Sequence, residues 1–201
     1  VATVIKQDDR FLAVRETSLN RPHAHVINQP AGHVEFGETL QEAAIRETLE
    51  ETGWVCEIEH AIGIYHYISD ASNSQYLRIC FAGKLVQQKY PSPPDPTILS
   101  TEWLTLQDVE AIHNQATMPH TTTAHAKTTH SSLNDGSHTK ANPQRWAPKV
   151  LRSPIVLTCF RDYDRGAVMP WQCLQEQPLV SDRQNLADDT PAPLHRISPA
   201  S

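Results

Sequence analysis

A chain of 201 residues with 39% hydrophobic content can build one packed domain, and 15 prolines against 7 glycines indicate that part of it lies outside that core. Its 23 acidic and 17 basic side chains leave a net charge of −6, which argues against a stable nucleic-acid partner or a membrane-surface binder. A phosphorylated ligand would have to be met by metal ions and a local basic group. No apolar run approaches a membrane span, no signal-peptide pattern is present, and the four cysteines (Cys56, Cys80, Cys159, Cys173) form no CxxC pair. Buried free thiols, a cytoplasmic setting and a monomer are therefore expected. The chain starts in a β-rich run without an initiator Met, so a few residues are expected to precede Val1.

In chain order, residues 1–5 and 11–16 are β-rich runs joined by the polar turn Gln7-Asp8-Asp9-Arg10, which reads as a hairpin. Residues 18–25 form a loop, residues 25–28 a short strand, and Asn28-Gln29-Pro30-Ala31-Gly32-His33 leads into the most informative stretch of the chain, GHVEFGETLQEAAIRETLEETGW, residues 32–54. Residues 39–52 contain no Gly or Pro and are rich in Leu, Ala, Glu and Arg, so they should be helical, with Gly53 as the stop. Glu47, Glu50 and Glu51 then fall within an arc of about 100°. Carboxylates that close raise one another's pKa values unless a divalent cation lies among them, and all-oxygen donors select Mg²⁺ or Mn²⁺. Leu40, Ala43 and Ala44 share that line of the helix and should let it lie close against a sheet, with Ile45 and Leu49 pointing the other way. Arg46 and Glu38 can pair and clamp the preceding loop, in which Gly32 and Gly37 widen the backbone choices.

Residues 55–59 and 62–68 read as two strands, 69–74 as a turn, and 75–86 as the longest strand. In the last, Leu77, Ile79, Phe81 and Gly83 share one face while Arg78, Cys80 and Ala82 share the other. Arg78 is either a surface charge or a phosphate contact; Tyr65, Tyr67 and Tyr76 either stack on a ligand ring or pack in the core. A Pro-rich connection over 90–96 precedes a strand over 98–104, and Thr105 should cap a helix over 106–113. From 114 to 148 the chain is dominated by Thr, His, Ser, Asn and Ala and cannot bury enough surface to order itself. His120, His125, His130 and His138 are irregularly spaced and lack Cys companions, which favours a low-complexity insertion over a metal site. Ser153 and Pro154 start a helix over 155–163, 169–174 should add a last strand, and the Pro-, Asp- and Ser-rich residues that follow read as a tail. The architecture expected is α/β/α: a mixed sheet sandwiched between helices, built from 1–112 and 150–175, with an insertion over 113–149 and a disordered tail over 176–201.

Gly32, Glu38, Arg46-Glu47, Glu50-Glu51 and Gly53, at these spacings, resemble the Nudix box, the signature of hydrolases that cleave a nucleoside diphosphate linked to another moiety. One departure is Thr48, where the family usually carries an aliphatic residue; Leu49 beside it is expected to share that packing. The resemblance implies the Nudix fold and a catalytic group of Glu47, Glu50, Glu51, Arg46 and Glu38, with Mg²⁺ or Mn²⁺ held by the three glutamates and the Ala31 carbonyl. It also implies a further acid from a later loop, for which Asp95 and Glu102 are candidates. Asn28 to His33, Tyr76-Leu77-Arg78 and Leu151-Arg152-Ser153-Pro154 look like a bacterial phosphatase branch of the family, which makes Arg78, Gln29 and Tyr67 the candidate substrate contacts. That branch implies small phosphorylated substrates: nucleoside di- and triphosphates, thiamine pyrophosphate and hydroxymethylpyrimidine pyrophosphate, with release of phosphate. Another Nudix specificity (ADP-ribose, a nucleotide sugar, an RNA 5′ end) and a non-catalytic binding module are the alternatives.

Overall fold

The computed structural model describes residues 1–17, 24–69, 73–117, 148–170 and 173–174. Runs of four consecutive buried residues form β1 (Ala2–Gln7) and β2 (Arg10–Glu16), the expected antiparallel hairpin, which turns at Asp8 with a φ of 55°. β3 (His25–Asn28) pairs antiparallel with the far end of β2. The helix α1 (Leu40–Thr52) begins and ends where its local signals say. Thr39 and Glu42 form a reciprocal capping box, and Gly53 closes the last turn in a left-handed conformation (φ 78°), its N–H bonded to the Leu49 carbonyl at 2.8 Å. A Cβ at Gly53 would stand 2.5 Å from the Tyr90 carbonyl oxygen, so the stop also lets a distant loop approach.

Next come β4 (Trp54–Ser69), β5 (Ser74–Gln88) and β6 (Ile98–Thr105). The two strands expected over 55–59 and 62–68 are one: β4 pairs along its whole length with β5, and register shifts between Ile58 and His60 and between Ala61 and Gly63 break the alternation that sequence reading relies on. β6 lies along β2. The helix α2 (Leu106–Thr117) carries the expected cap, Thr105 accepting from the Asp108 N–H at 3.1 Å, but runs four residues past 113 into the segment read as insertion. After it, β7 (Lys149–Leu151) adds parallel to β3; three residues are too few to show a period. α3 (Pro154–Asp164) starts at Pro154 as expected. Of the last strand expected over 169–174, Met169 makes a single bridge to Ala61, and residues 171–172 lie outside the described residues. The expected insertion beyond Thr117 and the expected tail lie outside the described residues, apart from Pro148 and Lys149.

The described strands form a seven-stranded mixed sheet in the order β4-β5-β1-β2-β3-β7, with β6 beside β2. Helices cover both faces, as the α/β/α expectation requires. Under α2 and α3, Val4, Phe11, Ile27, Cys80, Ala82, Val156 and Phe160 make the main core, where the Phe11 and Phe160 rings stack at 4.6 Å. On the opposite face α1 lays Ala44 and Leu40 over Ala61 and Phe81. Ile45, expected to point away, packs beside Ile5, Leu12 and Cys56. Leu49 does not compensate for Thr48. The Thr48 hydroxyl is fully buried, donates to the Ala44 carbonyl at 2.7 Å and lies 3.1 Å from the hydroxyl of Thr3 on β1, so a polar pair replaces an aliphatic contact. Cys56, Cys80 and Cys159 are free and buried as expected, whereas Cys173 is exposed.

Candidate active site

Arg46 organises the loop before α1. Its Nε and Nη2 grip Glu38 at 3.0 and 2.7 Å, Nη1 reaches Glu47 at 2.9 Å and Glu50 at 3.1 Å, and Nη2 donates to the His33 carbonyl at 2.9 Å. The expected Arg46–Glu38 pair is therefore one arm of a larger clamp. These carboxylates, Glu38 first, hold Arg46 firmly protonated, and its guanidinium in turn keeps Glu38 below the usual carboxylate range.

Glu51 projects inward from the last turn of α1 and is 7% exposed. Its Oε2 accepts the Ala31 N–H at 2.9 Å. Burial pushes its carboxyl up to about 8, against the pull of the Ala31 N–H, and the charges of Glu16, Glu47 and Asp95 add to the rise. Glu47 closes on the same backbone from the other side: a Cβ at Gly32 would stand 2.0 Å from Glu47 Oε1, so only glycine leaves room for that carboxylate. Glu38, Arg46, Glu47, Glu50, Glu51 and Ala31 are thus gathered in one place, with Ala31 engaged through its N–H.

Of the two candidate later acids, Asp95 lies next to the end of α1, its backbone N–H bonding the Glu50 carbonyl at 2.9 Å while its Oδ1 accepts from the Thr97 N–H and hydroxyl, both at 2.8 Å. Glu102 does not, being turned to Lys149 at 2.5 Å and Arg15 at 3.7 Å. Sequence reasoning missed Glu16, which acts on Glu51 more strongly than Glu47 does. A signal was present, since Leu12, Val14 and Glu16 alternate onto the α1 side of β2 and the acid ends an otherwise apolar face.

Among the described residues no three acid, histidine or cysteine side chains already stand at metal-binding spacing, since Glu47 and Glu50 lean on Arg46 while Glu51 turns to Ala31. The donors nevertheless fit a hard divalent ion. Three carboxylates share one end of a helix, one of them is driven to hold a proton by burial and like charge, and a cation would relieve both.

Gln29, Arg78 and Tyr67 form a second group, on the α3 side of the sheet. Gln29 is fully buried, its Nε2 donating to Cys80 Sγ at 3.5 Å while its Oε1 has no partner; Arg78 Nη1 is likewise buried and unpartnered. Tyr67 packs on the main core, as does Tyr65, whose hydroxyl donates to Asp162 at 3.0 Å, and Tyr76 is half-exposed. The segment from Gln29 to Gly32 joins the two groups.

A family model described as the NUDIX domain matches residues 1–124. Over 109 residues the chain is 37% identical to Phosphatase NudJ of Escherichia coli strain K12, covering 54% of this chain and 69% of that protein. Phosphatase NudJ of Shigella flexneri matches to the same extent. A solved structure, a NUDIX hydrolase from Nitrosomonas europaea, superposes with a TM-score of 0.66 at 31% identity, over 89% of this chain and 96% of that one. Among the described residues no helix is long and apolar enough to cross a membrane.

Proposed function

Since the chain belongs to the Nudix family and is a hydrolase of pyrophosphate-containing compounds, we propose that it uses Mg²⁺ or Mn²⁺ to release phosphate from nucleoside di- and triphosphates, thiamine pyrophosphate and hydroxymethylpyrimidine pyrophosphate. The observation that carries the metal requirement is Glu51, buried beside Glu16, Glu47 and Asp95 with its carboxyl pushed up to about 8. The finer substrate range is supported by the likeness to proteins named Phosphatase NudJ.

Glu47, Glu50, Glu51 and the Ala31 carbonyl would hold the ion. When bound, it neutralises pyrophosphate oxygens that otherwise repel hydroxide and lowers the pKa of a coordinated water. Arg46 fixes where Glu47 and Glu50 stand and ties both to the loop through Glu38. A glutamate of this group takes the proton from the attacking water. Gln29 offers an acceptor and Arg78 a donor, each without a protein partner, to the moiety carrying the phosphates, with Tyr67 beside them.

The test is a screen of phosphorylated metabolites with Mg²⁺, Mn²⁺ or chelator, following orthophosphate. Metal-dependent release from thiamine-type pyrophosphates and nucleotides is expected. Cleavage confined to ADP-ribose or dinucleoside polyphosphates, giving two nucleotide-sized products, would overturn the substrate reading.

A further inference from the structure

A site built from carboxylates still needs a cation for the outer phosphate of its substrate, and Arg46 is not available for it. A guanidinium has five N–H donors. In Arg46 they meet five acceptors: two on Glu38, one each on Glu47 and Glu50, and the His33 carbonyl. Arg46 holds the site together and has nothing left for a ligand.

We propose that Arg152 is the phosphate-binding cation of this site and that Glu16 positions it. The assignment rests on the hydrolase reading above. Arg152 follows β7, and its backbone N–H bonds the Ile27 carbonyl at 2.8 Å. Leu151 points into the core under α2 and α3, so strand alternation turns Arg152 to the α1 side of the sheet, where Glu16 also points. There Arg152 Nη1 donates to Glu16 Oε2 at 2.8 Å. The acid is 10% exposed and the arginine 53%, so Glu16 is the buried anchor and the guanidinium the exposed end. Apart from Nη1, the guanidinium donors have no partner among the described residues.

Burying Glu16 near Glu51 and Asp95 adds repulsion to an already acidic site. What offsets it is the charge-assisted bond to Arg152, so the net effect of the acid is to hold a guanidinium on the α1 side of the sheet. The matching ligand chemistry is a terminal phosphate, whose two oxygens take parallel N–H bonds from a guanidinium.

The experiment measures binding of inorganic pyrophosphate to the full chain by titration calorimetry, in chelator and again with Ca²⁺, together with KM and kcat on a nucleoside diphosphate with Mg²⁺. Arg152→Ala should weaken pyrophosphate binding 10-fold or more under both conditions and raise KM with little change in kcat. Arg161→Ala, which breaks an ion pair with Glu110 on α2, should change neither. Glu16→Gln should weaken binding about 3-fold in the parent and not at all in the Arg152→Ala background, which separates positioning from general destabilisation. If Arg152→Ala melts early, Arg152→Gln, which keeps a hydrogen bond to Glu16, carries the same expectation. Unchanged affinity and KM in a folded Arg152 variant would overturn the assignment while leaving the hydrolase reading intact. Pyrophosphate binding through Arg152 without hydrolysis of any pyrophosphate compound would keep it and remove that reading.

Discussion

Glu51→Gln should make the metal-free protein more stable while abolishing most of its activity. Burial raises the Glu51 carboxyl from 4.5 to about 8 in the folded chain. An acid whose folded pKa lies above its unfolded one keeps more protons in the native state between those two values, so its contribution is intact below 4.5 and falls as pH climbs towards 8. At pH 7 the loss amounts to roughly 2.5 pH units at 1.36 kcal/mol each, or ~3 kcal/mol. Glutamine has nearly the same shape, carries no charge at any pH, and can still accept the Ala31 N–H through its amide oxygen. In chelator at pH 7 the variant should therefore gain up to ~3 kcal/mol over the wild type relative to their difference at pH 4.5, on the order of 6–12 °C in melting temperature for a chain of this size. Urea unfolding in chelator at the two pH values measures this directly. Mg²⁺ should then raise the wild-type midpoint, most strongly at the higher pH where the proton no longer competes, and leave the variant nearly unmoved. Phosphate release by the variant should fall by orders of magnitude. A difference in stability between variant and wild type that is the same at pH 4.5 and pH 7 would refute the reasoning, as would near-wild-type turnover.

Gly32→Ala would drive a methyl into the Glu47 carboxylate, which is the movable end of a side chain, so melting should shift by no more than about 1 kcal/mol while kcat drops about 100-fold; wild-type kcat would show that Glu47 need not stand there. Thr48→Val should cost about 1 kcal/mol in urea titrations by removing a buried hydroxyl that bonds the Ala44 carbonyl and Thr3, and Thr3→Val added to it should cost little more, since the Thr3 hydroxyl then keeps only its long 3.4 Å bond to the Ala44 carbonyl. Replacing residues 118–147 by a short Gly/Ser linker should leave thermal stability and turnover on a small pyrophosphate nearly unchanged, because so few of those residues are bulky and apolar; loss of either would give the segment a part in the site.

Local chemistry made much of this protein legible before any coordinates. The Thr39–Glu42 box, the Gly53 stop and the 47, 50, 51 spacing all act within one or two helical turns, so sequence distance stands in for spatial distance, and α1 with its carboxylates lies where the residues say. The β1–β2 hairpin was legible for the same reason, its partners being separated only by a short polar turn. Tertiary structure decided whatever depends on pairing between distant segments. β4 is one strand because β5 pairs with it through three irregularities, and β7 exists because β3 offers an edge to three residues that have no periodicity of their own. Thr48 is accommodated by Thr3, 45 residues away, rather than by its neighbour Leu49. Asp95 lies beside the end of α1 through a backbone bond to Glu50 while Glu102 is paired with Lys149, and no local rule encodes either. Glu16 and Arg152 are 136 positions apart and meet only because β2, β3 and β7 lie side by side. The sequence by itself gathered the carboxylates at one end of one helix, because that takes only local spacing; the sheet decided which other charges face them, because that takes pairing between distant strands.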